Sequence, residues 1–397
     1  MPVLQSHRRI GVTVPLGEDI LLLRHMSGSE TLSQPFEYHL ELLSEDPQIA
    51  LNDVLGHPLV VRLETPESGS RFFHGFVSRF SQSDVPYPGE RFTAYRAMVR
   101  PWLWFLTRTA DCRIFQQQTT PEIIKAVFQE HDFSDFEDRL TATYRSWEYC
   151  VQYRETDFNF ISRLMEQEGI YYYFRHHDDR HVLVLCDGYS AHDPVAGYER
   201  IPYYPPSRQE RRERDHIFAW TLNRQVQPGS YTHTDYDPLV PRKNLLATTA
   251  ETRDHPLSGY EIFDYPGEYS ETGEAKHYAR LRLEALQAQH ETIQGQGNAH
   301  GLAVGALFEL DNYPREDQNR EHLVTGANWE LSSDTYQSGG GGGEVDFRCT
   351  FQALDARQPF RPPQTTPTPI VQGPQTAVVV GKAGEEIWTD EHGRIKV

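Results

Sequence analysis

Between Ser70 and Phe80 the chain reads SRFFHGFVSRF, an alternation that only an extended strand sorts into two faces. Phe72, His74, Phe76, Ser78 and Phe80 fall on one side, with Phe73 and Val77 on the other. A helix would scatter these side chains around its circumference. The same period of two recurs in Leu59, Val61 and Leu63, and in Phe36, Tyr38, Leu40 and Leu42. Turn signals at Pro15, Gly28, Gly56, Gly69 and Pro88-Gly89 interrupt it at short intervals. Residues 1–105 are therefore expected to form an antiparallel barrel or sandwich.

The period then changes. Thr120-Pro121-Glu122 supplies a cap, a proline at the first helical position and an early acid before IIKAVFQEH. A second helix is predicted from about Asp157 to Glu168, burying Phe160, Ile161, Leu164 and Met165 and stopping at Gly169. IYYYFRH and HVLVLCD follow as two strands joined across His177 to Arg180, so residues 106–254 read as an α+β middle region. A third helix is predicted from about Gly273 to Gln294, within a second β block at 255–358 whose strands are GALFEL, LVTGANWEL and VDFRCTFQAL. The five glycines Gly339–Gly343 read as a loop, and the proline-rich segment 359–374 as a boundary. Residues 375–397 carry strand and turn patterns too few to close a barrel, so the chain is expected to stop inside that domain.

Composition excludes several classes of function. The formal charge of −19 argues against nucleic acid, whose phosphates require a basic face, and the one basic stretch, Arg208–Arg214, is interrupted by acids. The longest aliphatic run, Ile20–Leu23, is far short of the roughly 20 residues of a membrane span. The N-terminus lacks the apolar core and cleavage site of a secretory leader, so the expected starting compartment is the cytoplasm. Cys112, Cys150, Cys186 and Cys349 are widely spaced and read as reduced thiols.

Catalytic patterns come close without completing. His290-Glu291-Thr292-Ile293-Gln294 opens like the zinc motif H-E-x-x-H, but Gln294 holds the second ligand position, and the segment is expected on the exposed side of the third helix. Gly381-Lys382 lacks the remainder of a phosphate loop, and Gly188-Tyr189-Ser190-Ala191-His192 lacks the second glycine of a nucleophile elbow. His176, His177 and His181, with Asp178 and Asp179, are ligand types for zinc or nickel, but they sit at the predicted hairpin tip, where polar residues are expected. That reading is preferred because a ligand site needs convergence from other elements. The pairs Glu166/Glu168 and Asp235/Asp237 are sequence neighbours, and a glycosidase needs carboxylates from opposite sides of a cleft. The aromatic runs PWLWFL (101–106) and IYYYF (170–174) point to both faces of a strand, one for a core and the other for an interface. The expected site list is thus empty: no catalytic, cofactor-binding or metal residues, and no cofactor.

Several stretches, taken in order, resemble the valine–glycine repeat (VgrG) spike family of type VI secretion. They are RFFHGFV (71–77), RPWLWFL (100–106), CRIFQ (112–116), YCVQYRETDFNFISRLMEQEGIYYYF (149–174), FDYPGEY (263–269), PFRPP (359–363) and GPQTAVVVGKAGEEIWTDEHGRIKV (373–397). The resemblance implies a mainly β fold with α+β parts: phage-tail-hub-like β-barrels with a helical middle region, then the start of an OB-type barrel. It further implies a non-enzymatic homotrimer docked on hexameric tube rings and baseplate proteins. That trimer would carry a tip-capping cone protein and effectors with their adaptors, without stable membrane anchoring. Such a protein is assembled in the cytoplasm and expelled mechanically to the extracellular space or a target cell, which fits the lack of a leader. Two alternatives stay open: the hub of a contractile phage or bacteriocin particle, and a spike carrying a cell-wall hydrolase beyond Val397.

Overall fold

The computed structural model describes all residues except 1–4, 6–7, 68, 84–91, 207–213, 334–344 and 386–387. The turn at Pro88-Gly89, most of the basic stretch Arg208–Arg214 and the run Gly339–Gly343 therefore lie outside the described residues. The chain forms two units, Met1–Thr366 and Pro367–Val397.

The first unit is mainly β, and one large sheet organises it. Its strands run in the order Ile10–Thr13, Pro58–Thr65, Gly69–Ser83, Thr93–Arg100, Gln34–Ser44, Leu22–Thr31, Glu321–Ser332, Asp346–Asp355, Glu291–Gly297 and Ile217–Arg224. Every neighbouring pair along this path is antiparallel. The alternation predicted at Ser70–Phe80 is realised as far as Val77, with Phe73 and Val77 fully buried. A register shift between Val77 and Arg79 then brings Phe80, expected on the opposite face, to the side of Val77, where it is buried. The β-rich stretches at the two ends of the sequence meet at one seam. There Gly28 stands opposite Trp329, and Met26 opposite Leu331. Local periodicity cannot reveal a pairing between residues about 300 positions apart.

Three α-helices lie among the described residues of the unit. α1 (Thr120–Glu130) begins with a capping box in which the Glu122 carboxylate accepts the Thr119 N–H at 2.7 Å. α2 (Asp157–Glu168) is capped by Thr156, whose hydroxyl accepts the Asn159 N–H at 3.1 Å, and Gly169 ends it at φ 70°. α3 (Thr272–Gln287) is shorter than the predicted Gly273–Gln294. The remaining residues form the strand Glu291–Gly297 between two partners, and Ile293 lies opposite Leu222 on one side and Ala353 on the other. Ile293 sits seven residues after Leu286, so helix and strand patterns both accept it, and tertiary pairing decides.

α2 packs against α1 and the strand Cys150–Thr156. The hairpin Tyr171–His176 and His181–Cys186 follows it, and its second strand pairs in parallel with Phe136–Arg139. A second small core joins α3 to the three-stranded sheet Ala247–Ala250, Ser230–His233 and Glu261–Asp264.

The second unit has one isolated bridge among its described residues, Thr389 to Ile395. Gly393 closes the turn at φ 77°, a conformation that costs a residue with a Cβ about 1–2 kcal/mol. The Asp390 carboxylate accepts the N–H groups of His392 and Arg394, both at 2.9 Å. Replacing Gly393 with valine is expected to abolish protection of amides 389–395 in hydrogen exchange and to leave the first unit unchanged. Unaltered exchange in this segment would contradict the assignment.

Candidate functional site

Two of the stretches that carry the sequence resemblance and the hairpin after a third converge on one buried point. His74 comes from RFFHGFV, Trp102 from the aromatic run, and His176 and His181 from the hairpin. The His181 Nε2 accepts the Trp102 backbone N–H at 3.0 Å, so its Nδ1 carries the proton and donates to His74 Nδ1, also at 3.0 Å. The His176 Nδ1 lies 3.1 Å from both the backbone nitrogen and the carbonyl oxygen of His74. The Tyr38 hydroxyl sits between the His176 Nε2, at 3.1 Å, and the Glu30 carboxylate.

Burial, with His176 and His74 beside it, holds His181 well below the usual imidazole range. Burial likewise lowers His74 to about 4. Both rings are therefore neutral at pH 7, and their hydrogen bonds tie strand, turn and hairpin together. That geometry locks a junction; it is not an exposed acid–base pair.

The polar hairpin tip is thus half of the account. His177, Asp178 and Asp179 are exposed as that reading requires, whereas His181 is 1% exposed and belongs to the core. Nothing in the residues around His181 signals this, because its partners come from sequence positions 74 and 102. Among the described residues, no group of three His, Cys, Asp or Glu side chains is placed to hold a metal ion.

The members of the two carboxylate pairs bond to different partners. Glu166 accepts the N–H groups of Thr365 and Thr366 at 2.8 and 2.9 Å, anchoring the first part of the proline-rich segment. Arg361 reinforces that anchor through Glu284 and the carbonyls of Gly169 and Asp187. Glu168 is buried and accepts the Tyr278 hydroxyl at 2.9 Å, and burial raises its pKa. Asp235 takes the Glu268 N–H and Asp237 the Leu239 N–H, so both shape loops.

The other near-motifs are equally structural. His290 precedes the strand Glu291–Gly297, and its Nδ1 lies 2.8 Å from the Gln225 carbonyl oxygen, so the expected placement on a helix is overturned. His192 donates from Nδ1 to the Gly305 carbonyl and accepts the Tyr171 hydroxyl at Nε2, both at 2.8 Å. In the second unit, Lys382 lies over the Trp388 ring at 5.7 Å.

The aromatic runs supply no interface strand. Ile170 to Phe174 are all buried, because the hairpin has packing on both faces. Residues Trp102–Thr107 form a 3₁₀ turn after Pro101 with Trp102, Leu103 and Leu106 inside. Exposed apolar side chains lie elsewhere, on the paired residues Ile114 and Val151 and around Tyr260 to Tyr265. One buried cluster had no sequence signal: Asp215 accepts the Tyr198 hydroxyl at 2.6 Å and the His300 ring at 2.9 Å, and Phe347 stacks on that ring.

The chain belongs to the phage tail baseplate hub (GPD) family, whose pattern matches residues 29–335. It is similar to the type VI secretion system spike protein VgrG1a of Pseudomonas aeruginosa, with 53% identity over 99% of this chain and 61% of that protein. VgrG1b of the same organism is 51% identical over 100% of this chain and 53% of its own length. The chain thus spans 53–61% of the length of these two relatives, and 36–47% of the more distant spike proteins of the same organism. Among solved structures, the Escherichia coli c3393 protein superposes with a TM-score of 0.65 at 22% identity, over 91% of this chain and 81% of that one. That protein is described as a type VI secretion component with structural similarity to the T4 tail proteins gp27 and gp5.

Proposed function

We propose that this chain is the hub portion of a type VI secretion spike: it trimerises, docks on a hexameric tube, and carries a tip protein and effectors outward. The observation that carries the reading is the 53% identity to VgrG1a over 99% of the chain. Such a hub is assembled in the cytoplasm and pushed out, beginning an OB-type barrel after Pro374. No helix among the described residues is long and apolar enough to cross a membrane, which suits a part that is expelled whole. Three chains match six tube subunits only if each offers two docking units, and the candidates are the β-rich blocks 1–105 and 255–358 on either side of the seam. The baseplate hub of a contractile phage or bacteriocin particle is the second reading, favoured by the family match itself.

The hub role is mechanical, and the chain is expected to be catalytically silent. Incubation with peptidoglycan, casein and lipid esters, with and without zinc, should give no turnover. Turnover lost on substituting His181 or Glu166 would overturn the reading. Light scattering should give about three times the 45.8 kDa chain mass at high concentration, and a stable dimer would count against it.

A further inference from the structure

The large sheet closes its edges with residues of its own. Along Ile10–Thr13, the Gln5 side-chain amide accepts the Val12 N–H at 2.8 Å and donates to the Val12 carbonyl at 3.2 Å, imitating a neighbouring strand. At the opposite end the Tyr204 N–H donates to the Ile217 carbonyl at 2.8 Å, covering the start of Ile217–Arg224. Capping of this kind prevents another chain from adding to the sheet.

The strand Glu261–Asp264 is treated differently. It lies at the end of the small sheet, parallel to Ser230–His233, and no described strand pairs with its outer side. All four of its residues are exposed. The inner face of the sheet is anchored, since Tyr231 lies in the α3 core and His233 Nε2 donates to the Ala275 carbonyl at 2.7 Å. On the outer face Glu261 and Phe263 stand beside Thr232, and Phe263 is 61% exposed. Leu257, Tyr260 and Tyr265 flank it at comparable exposure.

Charge limits what can add there. Residues 229–271 contain eight acids and three bases, a net charge of 3 − 8 = −5. Two of the bases are already engaged, Lys243 with Glu271 and Arg253 with Glu251. An acidic surface with aromatic side chains and an open strand edge selects an extended, basic, partly apolar partner.

We propose that the outer edge of Glu261–Asp264 is a docking site for an extended cationic segment of another protein, which adds as a fourth strand. Its backbone pairs with the edge, its apolar side chains lie against Tyr260 and Phe263, and its lysines or arginines meet Glu261 and the surrounding acids. The site lies on a single chain and does not depend on trimerisation.

The probe is a fluorescent decapeptide alternating lysine with valine, titrated into the whole chain at low salt. Saturable binding is expected, with new hydrogen-exchange protection at amides 261–264. Affinity should fall at least tenfold for a glutamate–valine peptide, for a lysine–valine peptide N-methylated on alternate amides, and for the variant Phe263→Lys. Binding indifferent to N-methylation would mean charge attraction alone and would overturn the proposal. So would the absence of saturation at millimolar peptide, or unchanged affinity in Phe263→Lys. The exchange measurement on the unaltered chain decides the matter if that variant fails to fold.

Discussion

At pH 4 the chain is expected to be unfolded in a buffer where it is fully folded at pH 7.5. The cause is a set of histidines held neutral by burial. His74 and His322 are each lowered to about 4, and His181 lies well below the ordinary value. His74 has His176, His177 and Asp179 around it, while His322 faces Arg320, Asp355 and Glu291 and bonds the Gln318 carbonyl. In the unfolded chain each imidazole protonates near 6.5. Because the folded values are depressed, the unfolded state binds more protons between pH 6.5 and 4, and stability falls as pH falls through that window. Each depression of this size is worth about 3 kcal/mol by pH 4, so two such residues cost about 6 kcal/mol, comparable to the whole stability of an ordinary domain. Urea denaturation at half-unit pH steps checks this, and His322→Gln should flatten the dependence above pH 4. A denaturation midpoint that is constant from pH 7.5 to 4 would contradict it.

Replacing Gly75 with alanine should strongly destabilise the large sheet. A Cβ at this position would stand 2.6 Å from the Val99 Cγ1, 2.9 Å from the Arg100 carbonyl oxygen and 3.0 Å from the Phe36 ring. The side chains can shift by rotation, but the carbonyl belongs to the paired strand Thr93–Arg100 and moves only with the sheet. Overpacking of this kind costs about 3 kcal/mol. The expected result is a large fall in the denaturation midpoint and a low yield of soluble protein. A change below about 0.5 kcal/mol, the range of ordinary surface substitutions, would show that the strands are not so closely apposed.

Gly75 and His74 also mark what a sequence can and cannot convey. Alternation around them specified strands because the period of two is local. α2 was legible to its termini because Thr156, the apolar stripe and Gly169 all lie within one short stretch. The end of α3 was not, since pairing with Leu222 and Ala353 outweighs a helical pattern that Ile293 also fits. PWLWFL was misjudged as strand because Pro101 starts a turn in which three residues still reach the core. The junction of His74, Trp102 and His181 was invisible, as it joins side chains from distant positions. The emptiness of the catalytic list was argued from spacing; in the structure His181, His192, His290, Glu166 and Glu168 take part in hydrogen bonds that join elements of the fold.

The central claim is that three chains of this kind seat on one ring of six tube subunits. Cryo-electron microscopy of the chain bound to a single hexameric ring tests it most directly. Three chains per ring are predicted, each touching two adjacent subunits, one through the block at 1–105 and one through the block at 255–358. Six chains per ring, or a single contacting block per chain, would contradict the account.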